Sequence, residues 1–138
     1  MSTHNRACVE QMWVELEKTH DISVLDRYFD AGYVRRVGAG SQDLDGWKST
    51  LGALYRAFPD LTTTVDVTVA EGDWVAYRWT STGRHSDTYF GVPPTGKPVT
   101  AVGITINRFE NGRIVEEYSS WNKVDVLHSL GILPIAAL

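Results

Sequence analysis

From Leu61 onward the hydrophobic period changes from helical to two, and that change limits the possible folds more than any other feature. Before it, apolar residues recur at helical spacing. Val9, Met12, Trp13 and Leu16 follow i, i+3, i+4, i+7. Asp21 is placed to cap a short second helix carrying Leu25, Tyr28 and Phe29. "AGYVRRVGAGSQDLDG" reads as a short strand followed by a loop. Asp43 caps a third helix in which Leu44, Trp47, Leu51, Leu54, Tyr55 and Phe58 form one stripe, and Pro59 ends it. After Leu61 the period is two. "TTTVDVTVA" alternates, with Val65, Val67 and Val69 on one face. "WVAYRWTSTGRH", "VTAVGITINRF" and "RIVEEYSSW" read as three more strands. "EGD" and "ENG" are their turns, and "SDTYFGVPPTGKP" is a long Pro- and Gly-rich loop. Val124, Leu127 and Leu130 suggest a closing helix ended by Gly131.

Helices first and then a run of antiparallel strands is an α+β pattern, and 138 residues suit one domain over 1–138. In "VTAVGITINRF", Val102, Ile104 and Ile106 share one face, while Ala101, Gly103, Thr105 and Asn107 share the other. The small and polar face suits the floor of a cavity roofed by helices. The β-branched face then needs a cover, and a second subunit supplies one. In the last strand Glu117, Ser119 and Trp121 lie on one face, and Glu116, Tyr118 and Ser120 on the other.

Several function classes are disfavoured. The net charge is -4 and the basic residues are scattered, so no stripe for nucleic acid is visible. No apolar run approaches the ~20 residues that span a bilayer, and the N-terminus is too charged for a signal peptide. The single Cys8 cannot make an internal disulfide, which fits a reducing cytoplasm. The four histidines show no ligand spacing, so no metal site is expected. Neither "GAG" at 38–40 nor "PPTG" links a strand to a helix as a phosphate loop does.

"AFPDL" at 57–61, "GRHSDTYFGVPPTG" at 83–96, "NRFENGRIVEE" at 107–117 and "LHSLGILP" at 127–134 together resemble one family. They are similar to the SnoaL-like polyketide cyclases, of the nuclear-transport-factor-two-like superfamily. That family shows Gly-x-His, Gly-x-Pro-Pro-Thr-Gly, Phe-x-x-Gly-x-Ile-x-Glu and Leu-Gly-x-Leu-Pro in this order, so the likeness covers nearly the whole chain. The resemblance implies a cone-shaped α+β barrel, with three N-terminal helices on a curved, mostly antiparallel sheet and a short C-terminal helix. It implies a deep pocket in a homodimer, with the Glu117, Ser119, Trp121 face turned inward. It also implies ring closure by intramolecular aldol condensation on a hydrophobic small molecule, without metal or cofactor. The family's acidic residue falls on Ser119, its strand histidine two residues earlier on Glu117, a histidine of the preceding strand on Thr105, and an asparagine near the first strand on Arg35.

Two readings stand for each candidate. Glu117 is a general acid/base whose burial favours the protonated form, or a carboxylate paired with Arg35, Arg36 or Arg78. His85, which matches the family histidine, moves a proton near neutral pH or ties the long loop to the sheet. Arg78 and Arg35 bind an acidic substrate group or a developing enolate, or pair with acids on neighbouring strands. Thr105 and Ser119 line the pocket, with Ser119 hydrogen-bonding ligand. Tyr33 donates its hydroxyl to substrate or packs in the core. Trp121 is the tryptophan best placed for the pocket; Trp13, Trp47 and Trp79 read as core. The functional expectation is a cofactor-independent cyclase or isomerase of natural-product tailoring. Its rivals are a family hydroxylase, an epoxide-opening enzyme, or a non-catalytic small-molecule carrier or accessory subunit.

Overall fold

The computed structural model describes residues 2–89 and 91–131. Helix α1 (Ser2–Thr19) buries Val9, Met12 and Leu16, the predicted stripe. A single 3-10 turn (Ile22–Val24) follows, started by Asp21, whose carboxylate accepts the Ser23 N–H at 3.0 Å. Helix α2 (Leu25–Tyr28) is one turn long, and Phe29 already opens strand β1 (Phe29–Val37). The short strand β2 (Gly40–Gln42) folds back on β1. Asp43 then caps helix α3 (Leu44–Ala57) through the Gly46 N–H at 2.8 Å.

The remaining strands form a meander: β3 (Thr62–Glu71), β4 (Trp74–Arg84), β5 (Pro98–Glu110) and β6 (Arg113–Trp121). The β5–β6 turn uses Asn111 and Gly112 at φ 51° and 77°, the left-handed pair that a two-residue hairpin turn requires. Helix α4 (Lys123–Ser129) closes the described chain. One six-stranded sheet runs in the order β2-β1-β6-β5-β4-β3, antiparallel except for the β1–β6 pair. The α+β architecture is as expected, but the sheet is open, with β2 and β3 as edges, and is not a closed barrel.

Two details differ from the sequence reading. In β3 the register slips between Val65 and Val67, so that Asp66 bulges and the faces exchange. Val65 stays half-buried, whereas Val67 and Val69 are turned outward and exposed. In α4 Val126 is buried and Leu127 half-buried, and Leu130, at the helix C-cap, is buried as expected, while Val124 is exposed and Val126 takes its place against the sheet. The "ILP" of the closing motif lies outside the described residues.

The main core joins α1, α2 and α3 to the inner face of the sheet through Leu16, Leu25, Phe29, Leu51, Val75, Phe109 and Ile114. A smaller cluster of Ala57, Phe58, Val99, Val126 and Leu130 seats α4. Gly103 separates Trp79 from Trp121 on the inner face. A Cβ there would lie 2.8 Å from Trp121 Cβ and 2.7 Å from the Ser120 carbonyl oxygen, so only glycine lets the two indoles flank this point. Among the described residues no helix is long and apolar enough to cross a membrane.

Candidate active site

Between the helices and the inner face of the sheet lies a cavity of about 460 Å³, within the range of small-molecule sites. Its wall is mostly aromatic and aliphatic, and Trp13, Trp47, Trp79 and Trp121 all contribute to it. Reading Trp13, Trp47 and Trp79 as core misses this role. Their helical or alternating spacing fixes which way they face, not whether the space before them is filled.

The floor is polar because the inner faces of β5, β6 and β1 carry polar residues in paired positions. Arg35 and Asn107 each stand opposite Glu117. Arg35 Nε donates to Glu117 Oε2 at 2.9 Å, and Asn107 Nδ2 donates to Glu117 Oε1 at 2.9 Å. Arg35 is held on two further sides. Its NH1 donates to Gln42 Oε1 at 3.1 Å, and the guanidinium lies 4.0 Å over the Trp47 ring. Gln42 in turn donates to Thr50 Oγ1 at 2.8 Å. The carboxylate is thus a buried, hydrogen-bonded member of an ion pair. The pairing of Glu117 with Arg35 is present, and the carboxylate also faces the cavity.

Beside this group, Thr105 Oγ1 lies 3.1 Å from Ser119 Oγ and accepts the Trp79 indole N–H at 3.0 Å. Arg35, Thr105, Glu117, Ser119 and Trp121 therefore meet at one cavity, from three neighbouring strands. Tyr33 does not line it. Its ring packs edge-on against Phe29 at 4.6 Å in the core. Its hydroxyl sits next to Glu117 without a well-formed hydrogen bond. Burial and the neighbouring carboxylate hold this phenol well above its ordinary range.

Two candidates fall elsewhere. Arg78 is on the outer face of β4, pairs with Asp66 across the β3 bulge, and does not reach the cavity. The parity of β4 puts Val75 and Tyr77 inward, which sends Arg78 outward. His85 is fully buried beneath the long loop. Its Nδ1 accepts the Thr95 N–H at 3.2 Å, and its backbone bonds both Lys97 and Gly96. Its ring lies 5.7 Å from that of Phe58, outside the cavity lining. Tying the loop to the sheet is the role this geometry fits.

The sequence reading passed over Asn107, Gln42 and Tyr77 as site residues. Asn107 was visible as an inward polar position. Gln42 was not, because its strand is only three residues long. Among the described residues no group of three His, Cys, Asp or Glu could hold a metal ion.

Comparison with known proteins agrees with this architecture. No curated protein matches the chain. Among solved structures, AclR, a candidate hydroxylase from Streptomyces galilaeus, superposes with a TM-score of 0.91 at 27% identity, over 99% of this chain and 91% of its own. IdmH, a candidate polyketide cyclase from Streptomyces antibioticus, gives 0.79 at 29% identity, over 92% and 98%. A candidate polyketide cyclase from Acidithiobacillus ferrooxidans gives 0.81 at 25% identity, over 95% and 96%. The model of the SnoaL-like polyketide cyclases matches residues 7–130, and the chain belongs to that family.

Proposed function

We propose that the chain is a cofactor-independent tailoring enzyme for a polyketide-like or polycyclic small molecule, a cyclase or isomerase with Glu117 as general acid/base. One observation carries this reading. Glu117 is the one carboxylate among the described residues that line the cavity, whose wall is mostly aromatic and aliphatic. A carboxylate has about four lone-pair directions. Arg35 and Asn107 occupy two, which leaves room for a proton from substrate. The carboxylate removes a proton next to a carbonyl, and the electron pair passes to the carbonyl oxygen as an enolate. Return of the proton at another carbon isomerises the substrate; attack of the enolate carbon on a second carbonyl closes a ring. The same reading includes a homodimer joined through the outer face of the sheet.

The test is turnover of a panel of aromatic polyketides by wild type and Glu117→Gln, followed by mass spectrometry. General acid/base catalysis contributes about 10²–10⁴-fold, so the variant should lose that much in kcat with KM little changed. Undiminished turnover would overturn the assignment. The superposition on AclR favours a second reading, hydroxylation; a product heavier by one oxygen atom, formed only in air, would select it. A ligand bound and released unchanged would select a carrier.

A further inference from the structure

The cavity holds a second polar station, away from Glu117. Thr63 on β3 stands directly opposite Ser81 on β4, and their hydroxyl oxygens lie 2.7 Å apart. Both line the cavity, Thr63 buried and Ser81 half-buried. Two hydroxyls carry two protons and about four lone pairs. Their mutual bond uses one proton and one lone pair, whichever of the two donates. The pair therefore keeps one proton and about three lone pairs, with no other partner among the described hydrogen bonds. A few polar groups of this kind on a mostly apolar wall fix how a ligand lies.

Strand pairing sets where this station stands. Tyr77, Thr105 and Ser119 form one row across β4, β5 and β6, beside the row of Glu117. Trp79, Gly103 and Trp121 form the next, and Thr63, Ser81 and Ala101 the one after. Tyr77 and Ser81 are four residues apart, ~13 Å along the strand, with the indole row midway. A Cβ at Gly103 would collide with both Trp79 and Trp121, so the two tryptophans crowd its bare backbone and put an aromatic surface between two hydroxyl rows. With a hydrogen bond of ~2.8 Å at each end, the two oxygens of a ligand on that surface stand ~7–8 Å apart, the span of a fused pair of rings.

We propose that the Thr63–Ser81 pair is a specificity-determining subsite for a phenolic hydroxyl at the end of the substrate distant from Glu117. The substrate class is then a neutral fused-ring aromatic oxygenated at both ends. The proposal rests on the reading of the cavity as the place where Glu117 meets substrate. A phenol accepts the remaining proton of the pair and donates its own to a remaining lone pair, so both partners are satisfied. The Glu17 carboxylate accepts the backbone N–H of Thr63, and its negative charge disfavours a carboxylate or phenolate at this end. At the other end Arg35 and Glu117 cancel in charge.

The probe is 2,6-dihydroxynaphthalene, whose hydroxyls sit at opposite ends of two fused rings, with 2-naphthol and naphthalene as controls. Calorimetry on wild type should show the diol binding about tenfold more tightly than 2-naphthol, the gain of a second hydrogen-bonded end. Thr63→Val combined with Ser81→Ala should abolish that preference and leave naphthalene affinity unchanged. Ser81→Thr, which retains a hydroxyl, should keep it. In wild-type protein with labelled threonine methyls, a ring proton beside a diol hydroxyl should give a nuclear Overhauser contact to the Thr63 methyl, a readout that needs no variant. The preference should persist in Glu117→Gln, so loss of the base and loss of the subsite are told apart. A diol bound no more tightly than 2-naphthol, a preference unaltered in the double variant, or absence of the contact to the Thr63 methyl overturns the proposal.

Discussion

Arg35 and Glu117 face each other across the parallel β1–β6 pair, 82 residues apart in sequence, with Nε 2.9 Å from Oε2 and both side chains buried. Each charge is tolerated inside the fold because the other is there. Removing one partner of a buried pair leaves the other uncompensated, at about 3–5 kcal/mol. Arg35→Met should therefore lower unfolding stability in urea by about that amount. Combining it with Glu117→Gln should cost clearly less than the two single changes summed, since the second change removes the stranded charge. Additive costs would mean that the two side chains do not act as a pair.

His85 fixes the loop through Nδ1 and through backbone bonds to Lys97 and Gly96. Tyr89 of the same loop lines the cavity, so the latch and the cavity are linked. His85→Ala should speed amide hydrogen exchange at Thr95, Gly96 and His85 while leaving β5 and β6 protected. KM should rise more than kcat falls. A drop confined to kcat would instead place His85 in the chemistry.

Burial holds five tyrosines above their ordinary range: Tyr28, Tyr33, Tyr55, Tyr77 and Tyr89, the last pushed up to about 12. A phenol whose folded value exceeds its unfolded value contributes stability that is fully present below about pH 10 and is lost as pH rises through the folded value. Near-UV titration should show these phenols still protonated at pH 10 in the folded protein. Urea midpoints should begin to fall above that pH. Titration of all six tyrosines near pH 10 without loss of fold would contradict the burial.

Period two puts Glu117, Ser119 and Trp121 on one face of β6 and Tyr118 and Ser120 on the other, but only the family resemblance says which face looks inward; on β5 the small and polar side chains beside Thr105 and Asn107 themselves suggest a cavity floor. What parity alone cannot supply is register between distant strands. The sequence offers Glu117 three partners, Arg35, Arg36 and Arg78, and only the β1–β6 register chooses Arg35. A bulge is also invisible to alternation: Asp66 carries no turn residue beside it, yet it inverts Val67 and Val69. Alternation does not decide between the two readings of Arg78, because β4 has apolar side chains on both faces; the structure shows the pairing with an acid of the neighbouring strand, Asp66. The role of His85 depended on Thr95, which lies in a loop without period.

The outer face of the sheet carries Val67, Val69, Trp74, Ile104, Ile106 and Tyr118, all exposed. Trp74 and Tyr118 already stack there, with ring centroids 6.4 Å apart. An apolar area of this kind on a sheet face marks an interface, and a two-fold dimer is the commonest closed arrangement. Ile104, at 54% exposure, stands near the middle of the patch, on a central strand. Burying an isoleucine stabilises by about 1.5–3 kcal/mol, and a two-fold interface uses each residue twice. Ile104→Glu should therefore weaken association by about 3–6 kcal/mol, or two to four orders of magnitude in Kd. Sedimentation should show wild type as a dimer at micromolar concentration and Ile104→Glu as a monomer, with the same circular dichroism spectrum. A wild-type monomer at that concentration, unaltered by the substitution, would rule out this face as the dimer interface.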